Sequence, residues 1–152
     1  MRFIPDITWH GAPIHGAALA IGIFDGVHIG HQEILKEALK SELPVVALTF
    51  DPHPTSVVAP TKVPTRLLTL HNRIHQLAMH GATTTAIIKF TEEFSQLTPE
   101  EFITQVLIPT FDPQLVVVGE NFTFGAKAAG NVDYLKKHAQ FNVKGTPLLR
   151  HG

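Results

Sequence analysis

The sequence predicts an α/β domain built on a mostly parallel sheet of five strands, with helices on both faces. The first observation is that short apolar runs alternate along the chain with amphipathic segments of helical period. The second is that these runs lack polar alternation, which is typical of parallel strands covered on both faces. With 152 residues, of which 44% are hydrophobic and 16% charged, the chain is large enough to bury one core.

The predicted strands are apolar runs bounded by glycine, proline or polar residues. Pro44 precedes the second strand, and Pro113 and Gly119 bound the fourth. Residues 1–16 and the glycine-rich segment Gly119–Gly130 show no regular period, so we expect no regular element in them. In chain order, the predicted strands are Ala17–Ile23, Val45–Phe50, Thr84–Phe90, Leu115–Val118 and Phe141–Leu149.

Helices are predicted between the strands from apolar spacing and from capping residues. The first, Gly30–Lys40, carries Ile34, Leu35, Ala38 and Leu39 on one face. Three of the later helices start at a residue that can act as an N-cap, namely Thr69, Thr98 or Asn131, and the one at Thr98 has the pattern of a capping box. The later helices run from Thr69 to His80, where Gly81 follows, from Thr91 to Gln96, from Thr98 to Ile108, where Pro109 follows, and from Asn131 to His138.

Charge and composition exclude several classes of function. The formal net charge is −1, which implies no general attraction to nucleic acid or to an anionic membrane. The chain has no cysteine, so disulfides and thiol nucleophiles are excluded. No apolar run approaches the ~18 residues of a membrane span, and the start lacks the pattern of a signal peptide. We therefore expect a cytoplasmic protein with neither nucleic acid nor membrane as a partner.

Three segments follow the ends of predicted strands and are therefore expected to meet. They are Phe24–His31 after the first strand, Asp51–Pro54 after the second, and Gly119–Gly125 after the fourth. In an open parallel sheet, ligands bind beyond the carboxyl ends of the strands. The sequence thus predicts a single active site at this edge.

The first of these segments has the chemistry of an anion site. Gly22, Gly26 and Gly30 are spaced by four residues, and His28 and His31 lie near the start of the first helix. Free N–H groups and the positive end of the helix dipole converge at such a turn, which suits a phosphate ligand. The spacing differs from both the dinucleotide-binding and the Walker patterns. The alternative interpretation is a tight turn with surface histidines.

The segment from Gly22 to His31, Gly-Ile-Phe-Asp-Gly-Val-His-Ile-Gly-His, resembles the signature of bacterial FAD synthetases. These are the FMN adenylyltransferase modules of bifunctional riboflavin kinase/FAD synthetases, within the His-x-Gly-His nucleotidylyltransferase superfamily. Thr49–Pro54 and Val118–Gly125 resemble further segments of that family, in the same order along the chain. The resemblance covers about Ile14 to Leu149, and it implies a Rossmann-like nucleotidylyltransferase fold.

The resemblance also implies an activity and its site residues. FMN would attack the α-phosphorus of ATP, with Mg²⁺ assisting, to give FAD and pyrophosphate. The implied catalytic residues are His28 and His31, which would contact the ATP phosphates. The other implied ATP-binding residues are Gly22, Phe24, Asp25, Gly26 and Gly30. The implied flavin-binding residues are Asp51, Pro52, His53, Pro54, Asn121 and Phe124. The resemblance assigns no metal ligands.

Plainer interpretations of the flavin segments stay open. The prolines after the second strand can simply shape a loop. One of Phe122 and Phe124 can pack into the core.

The chain departs from the family pattern at its end. The family module continues into an Ile-Ser-Ser-Thr-x-x-Arg segment, which would begin near Gly152. We therefore expect residues 1–152 to form an FMN adenylyltransferase-like domain truncated at its C-terminus, with no riboflavin kinase domain. Impaired turnover and self-association through an uncovered C-terminal edge would follow. A non-catalytic nucleotide- or flavin-binding module and another transferase of the superfamily remain alternatives.

Overall fold

Parallel strands form the centre of the molecule. The computed structural model describes residues 3–24, 29–52 and 69–147. Within those ranges, a six-stranded sheet has the order β1-β4-β3-β2-β5-β8, and β6 pairs separately with β7. All neighbours in the large sheet pair in parallel except β1, which is antiparallel to β4. The strands are β1 (Ile7–His10), β2 (Ala18–Ile21), β3 (Val45–Asp51), β4 (Thr84–Lys89), β5 (Leu115–Gly119), β6 (Thr123–Phe124), β7 (Gly130–Asn131) and β8 (Asn142–Thr146).

The five predicted parallel strands are confirmed, and β1 adds a sixth, antiparallel one. The prediction of no regular element in residues 1–16 is therefore wrong for Ile7–His10. β1 is a four-residue edge strand, and its alternation is carried by Ile7 and Trp9, which are half-buried against the core. A pattern of four residues is a weak signal for a strand. The pairing that stabilises β1 is with β4, which lies some 80 residues further along the chain, so no local feature reveals it.

The predicted N-caps are confirmed at the helices that follow them. The side chains of Thr69, Thr98 and Asn131 each accept a hydrogen bond from a backbone N–H, and Thr98 forms a full capping box with Glu101. Thr91, for which no cap was predicted, caps its helix in the same way. The helices are α1 (Ile29–Leu39), α2 (Leu70–Met79), α3 (Glu92–Ser95), α4 (Pro99–Glu101) and α5 (Val132–His138). A π-helix, Phe102–Phe111, continues directly from α4, and a short 3₁₀ turn covers Ala126–Ala128.

Two local predictions are wrong, one for the end of a helix at Pro109 and one for the segment Gly119–Gly130. Pro109 does not end its helix, because the apolar face continues to Phe111, which is buried against the ring of Trp9. The π-helix ends instead at Asp112, whose backbone is left-handed at φ 41°. The segment Gly119–Gly130 also contains regular structure, namely β6, the 3₁₀ turn and the first residue of β7.

The sheet is covered on both faces, as its continuous apolar strands predict. Along β2, Leu19 and Ile21 belong to one core cluster, whereas Ala18 and Ala20 belong to the other. The first cluster includes buried residues of α3, the π-helix and α5. The second includes buried residues of α1 and α2. None of the helices in the described ranges is both long and apolar enough to cross a membrane.

The strand order determines where a ligand site can form. β2 lies between β3 and β5. From β2, the next two strands are added on one side of the sheet as β3 and β4, and the order then reverses, with β5 added on the other side of β2. Ligands of open α/β sheets bind in the crevice at such a reversal, beyond the carboxyl ends of the strands. α1 packs across both β2 and β5, so the helix that follows β2 begins beside this crevice. β8 forms the edge strand beyond β5, and the predicted self-association there stays a prediction.

Candidate functional site

The glycine segment after β2 leads into α1, as predicted. The amide of Gly22 donates to the carbonyl of Leu48 over 3.1 Å, so the contact between β2 and β3 extends one residue past the strand. α1 begins at Ile29, and Gly30 and His31 lie in its first turn. The predicted site residues Asp25, Gly26 and His28 lie outside the described residues. The described residues thus place a strand before this segment and a helix after it, and the predicted anion site stays a prediction.

Phe24 is part of the core and determines the path of this segment. Its side chain is fully buried in the cluster shared with Leu77 of α2, and its backbone is left-handed at φ 55°. A Cβ placed on Gly22 would lie 3.1 Å from Cζ of the Phe24 ring. A side chain at position 22 would therefore crowd the ring that covers it. The predicted contact of Phe24 with ATP stays a prediction.

A buried arginine connects the ends of β2 and β3. Nη1 of Arg73, on α2, donates to the carbonyl of Ile23 over 2.9 Å and lies 3.4 Å from both Thr49 Oγ1 and the carbonyl of Phe50. Nη2 forms an ion pair with Asp51 Oδ1 at 3.4 Å. The hydroxyl of Thr49 also donates to the carbonyl of Ile23, over 2.7 Å. We call this group of five residues the arginine junction.

Sequence reasoning missed Arg73, although a signal was present. Arg73 lies three residues after Leu70 and four before Leu77, so helical spacing places it on the apolar face of α2. The structure buries it to 4% exposure. A charged residue on the apolar face of a helix indicates a buried polar partner, because an unpaired buried charge is very costly. Thr49, a polar residue inside an apolar strand, is that kind of partner.

The predicted flavin segment begins at the end of β3. Asp51 closes the strand, its side chain is about one-third exposed, and the peptide bond to Pro52 is cis. The backbone carbonyl of Asp51 accepts a hydrogen bond from the amide of Phe90 over 3.0 Å. His53 and Pro54 lie outside the described residues. Asp51 and Pro52 thus lie at the predicted edge of the sheet.

The third segment turns back over the end of β5 toward α1. The amide of Phe122 donates to the carbonyl of Gly119 over 2.9 Å, which closes a tight turn. A Cβ placed on Gly119 would lie 3.2 Å from Oδ1 of Asn121 and 3.8 Å from Cδ1 of Ile34. The exposed amide of Asn121 therefore lies at the carboxyl end of β5, near the second turn of α1. Its predicted contact with flavin stays a prediction.

Phe124 packs into the core, as the alternative interpretation of its segment expects. It is 7% exposed, and its ring centroid lies 5.3 Å from that of Phe102 and 6.0 Å from that of Tyr134. Phe122 is half-buried and stacks on Phe124 at 5.6 Å with an interplanar angle of 17°. A Cβ on Gly130 would lie only 2.6 Å from the Phe124 ring. This packing does not test whether Phe124 contacts flavin, so that contact stays a prediction.

Charge pairs link α1 to the sheet on the side away from β3. Glu37 Oε2 of α1 lies 2.6 Å from Nζ of Lys144 in β8, and Oε1 lies 2.8 Å from Nζ of Lys40. Hydrogen bonds from Lys144 and then Lys40 lower the pKa of Glu37 below its usual 4.5. The hydrogen bond with Glu37 raises the pKa of Lys40 above 10.5. Among the described residues, no three histidine, aspartate or glutamate side chains are grouped as metal ligands.

Comparison with known proteins identifies relatives over most of the chain. A family model described as FAD synthetase matches residues 12–151. The bifunctional riboflavin kinase/FMN adenylyltransferase of Escherichia coli K12 is 36% identical over 148 residues, covering 93% of this chain and 47% of that protein. The enzyme of the same description from Buchnera aphidicola subsp. Schizaphis graminum is 36% identical over 133 residues, covering 84% of this chain and 43% of that protein.

A solved structure shows the same fold. It is a crystal structure described as a macrolide-efflux protein from Streptococcus pneumoniae, with a TM-score of 0.80 and 26% sequence identity. The match covers 93% of this chain and 48% of that chain. The chain therefore spans about half the length of the relatives it matches.

Proposed function

The chain belongs to the FAD synthetase family, and we propose that it acts as an FMN adenylyltransferase, transferring AMP from ATP to FMN. One observation carries this proposal. The three segments that resemble the family follow β2, β3 and β5, which are adjacent strands ending at one edge of the sheet. That edge includes the point where the order of successive strands reverses, which is where open α/β folds bind nucleotides.

The proposed reaction is a single phosphoryl-transfer step. An oxygen of the FMN phosphate attacks the α-phosphorus of ATP, the bond from that phosphorus to the bridging oxygen breaks, and pyrophosphate leaves. No covalent bond to the protein forms, so the protein contributes positioning and stabilisation of developing charge. We assign His28 and His31 to the ATP phosphates. Gly30, in the first turn of α1, would leave the helix N-terminus open to phosphate.

The two substrates would occupy neighbouring parts of the edge. ATP would lie at the end of β2 and the start of α1, with Gly22, Asp25 and Gly26 shaping that side. Flavin would lie between the segment after β3, with Asp51, Pro52, His53 and Pro54, and the turn after β5, with Asn121 and Phe124. Gly119, where the turn after β5 begins, lies beside Ile34 of α1, which supports a shared site for the two substrates.

We infer that Mg²⁺ enters as the MgATP complex and that the reaction takes place in the cytoplasm. Mg²⁺ in phosphoryl-transfer sites is commonly held by the substrate's phosphates with one or two carboxylates. Asp51 at the end of β3 supplies a partly exposed carboxylate at the correct edge. That donor fits Mg²⁺, which prefers oxygen ligands.

The direct test is to incubate the 152-residue chain with FMN, ATP and Mg²⁺ and to follow FAD and pyrophosphate by chromatography. We expect equal amounts of the two products. His28→Ala and His31→Ala should each lower kcat by about 10²–10³, as expected for loss of a donor to transition-state charge. His75→Ala, an exposed histidine of α2, is the matched control and should keep full activity.

Each alternative function has its own outcome in this test. Undiminished FAD formation in both active-site variants would contradict the assigned roles. Calorimetric binding of FMN and MgATP without FAD formation would instead favour a binding module. Product formation with another phosphorylated acceptor, and none with FMN, would favour a different transferase of the superfamily.

A further inference from the structure

We propose that Arg73 is a positioning residue for adenylyl transfer, holding the ATP segment after β2 and the flavin segment after β3 in fixed relation. The inference rests on the proposed function and deepens it. Arg73 is on α2, outside the three segments that resemble the family, and its side chain reaches the ends of β2 and β3. Its role follows from where its two terminal nitrogens point.

The two terminal nitrogens of Arg73 contact different segments. Nη1 donates to the carbonyl of Ile23, the second residue after β2, over 2.9 Å. Nη2 pairs with the carboxylate of Asp51, the last residue of β3, at 3.4 Å. The guanidinium group is planar and rigid, so its nitrogens stay at a fixed distance and angle. The two segments are therefore connected through one inflexible group.

The connection controls the direction in which the chain leaves β2. The carbonyl of Ile23 accepts hydrogen bonds from both Arg73 and the hydroxyl of Thr49. The next residue, Phe24, is held in the left-handed region at φ 55°, where a side chain with a Cβ is disfavoured. The carbonyl of Ile23 belongs to the peptide bond that precedes Phe24, so holding this carbonyl holds the orientation of that peptide plane. The path toward the start of α1 begins there.

Burial argues against a role in stability alone. Arg73 is 4% exposed, and placing a guanidinium group there removes it from water. Buried ion pairs are weak evidence for stability, because apolar residues of similar volume often stabilise a protein as well or better. A polar group that fixes the relative placement of two segments has a use that an apolar side chain cannot supply.

The expected effect falls on kcat rather than on substrate binding. Each substrate binds mainly to its own segment, so loss of Arg73 leaves both binding surfaces present. The reacting atoms come from different substrates, however, and a displacement of about 1 Å can lower the rate by about 100-fold. We therefore expect Arg73→Met, which conserves much of the volume, to lower kcat about 100-fold with nearly unchanged KM for ATP and FMN.

A conservative variant and a stability control separate positioning from folding. Arg73→Lys keeps the charge but replaces the rigid fork by a single ammonium, so kcat should lie between those of the wild type and Arg73→Met. Leu107→Ala removes a fully buried side chain of the π-helix on the opposite face of the sheet. It should lower Tm while leaving kcat unchanged when all variants are assayed well below their Tm.

Hydrogen exchange tests the same inference without turnover. The amides of Gly22 and Phe90 donate to the carbonyls of Leu48 and Asp51, one at each segment held by Arg73. Arg73→Met should speed exchange at both amides relative to that of Val117 in the sheet interior, whereas Leu107→Ala should not change this ratio.

The outcomes distinguish this inference from the proposed function. An active wild-type chain and an Arg73→Met variant with unchanged kcat would overturn the inference and leave the proposed function standing. A wild-type chain that forms no FAD would overturn the proposed function. In that case, exchange still tests whether Arg73 holds the two segments: unchanged exchange at both amides in Arg73→Met would overturn that claim, and faster exchange at both would support it.

Discussion

The two sides of the candidate site are held in place by different physical means. On the β2–β3 side, the arginine junction directs hydrogen bonds at backbone carbonyls, including that of Ile23. On the β5 side, the ring of Phe124 packs between other aromatic rings and against Gly130. Hydrogen bonds define direction, whereas apolar packing defines volume. We therefore expect the polar side to govern catalytic geometry and the aromatic side to govern stability.

The largest effect on stability should come from the aromatic side. Phe124→Ala removes a buried ring that contacts Phe102, Phe122 and Tyr134. The free energy of unfolding should fall by about 3–5 kcal/mol, the usual cost of deleting a core phenylalanine. Urea titration measures it. Phe122→Ala, at a half-buried position of the same stack, is the control and should cost less; an equal cost would refute the difference between the two rings.

A smaller loss of stability is expected at Gly22, whose amide donates a hydrogen bond to Leu48 and which is covered by the ring of Phe24. Gly22→Ala places a methyl group 3.1 Å from the ring of Phe24, which is fully buried and cannot move away cheaply. Overpacking of this kind costs about 1–3 kcal/mol. Gly119→Ala is the matched control, because its methyl group would meet the exposed side chain of Asn121. Denaturant midpoints should fall for the first variant alone, and equal midpoints would contradict the argument.

Sequence reasoning predicted most of the scaffold because its signals are local. Apolar runs gave the five parallel strands, and side chains such as Thr69 and Asn131 gave the helix starts, since an N-cap acts within three residues of itself. The convergence of segments at one edge also followed, because topology alone brings the carboxyl ends of parallel strands together.

The features that sequence reasoning missed depend on distant contacts. Arg73 contacts Ile23, 50 positions earlier in the chain, and nothing local identifies that carbonyl as its partner. The edge strand β1 is stabilised by pairing with β4, and the π-helix continues past Pro109 because Phe111 packs on Trp9. The roles of His28 and His31 came from the family resemblance, since spacing gave only a site for an anion.

The polar side can be probed at Thr49 with a smaller expected effect. Thr49→Val preserves shape but removes the hydroxyl that donates to the carbonyl of Ile23 over 2.7 Å. Arg73 still donates to that carbonyl, so the loss should be about 0.5–1.5 kcal/mol, the usual net value of one hydrogen bond. Thr49→Ser keeps the hydroxyl and serves as the control.

A double-mutant cycle between Thr49→Val and Arg73→Met tests whether the junction acts as one unit. Because both side chains donate to the same carbonyl, their effects on the free energy of unfolding should not add. Strict additivity in urea titrations would show that the two donors act independently.

The smallest effect is expected at the ion pairs of Glu37, a residue of α1. Its pair with Lys144 connects this helix to β8, and its pair with Lys40 is local. Hydrogen bonds from Lys144 and Lys40 lower the pKa of Glu37 below 4.5, so its stabilising contribution is present above that value and is lost as the pH falls through the lowered pKa. The raised pKa of Lys40 makes its contribution present below pH 10.5 and lost as the pH rises further. The stability difference between wild type and Glu37→Gln should therefore be largest between about pH 5 and 10.

The pH and salt dependence of that difference identifies its origin. Both lysines are more than half exposed, so the difference should shrink in 1 M salt, where the Debye length is only about 3 Å. Glu33→Gln disturbs a pair confined to α1, between Glu33 and Lys36, and is the control for loss of a charge on that helix. If the Glu37 variant lost the same stability at pH 3 as at pH 7, the side chain would stabilise α1 by packing. A difference that vanishes on acidification would instead show that charge attraction to Lys144 and Lys40 is its source.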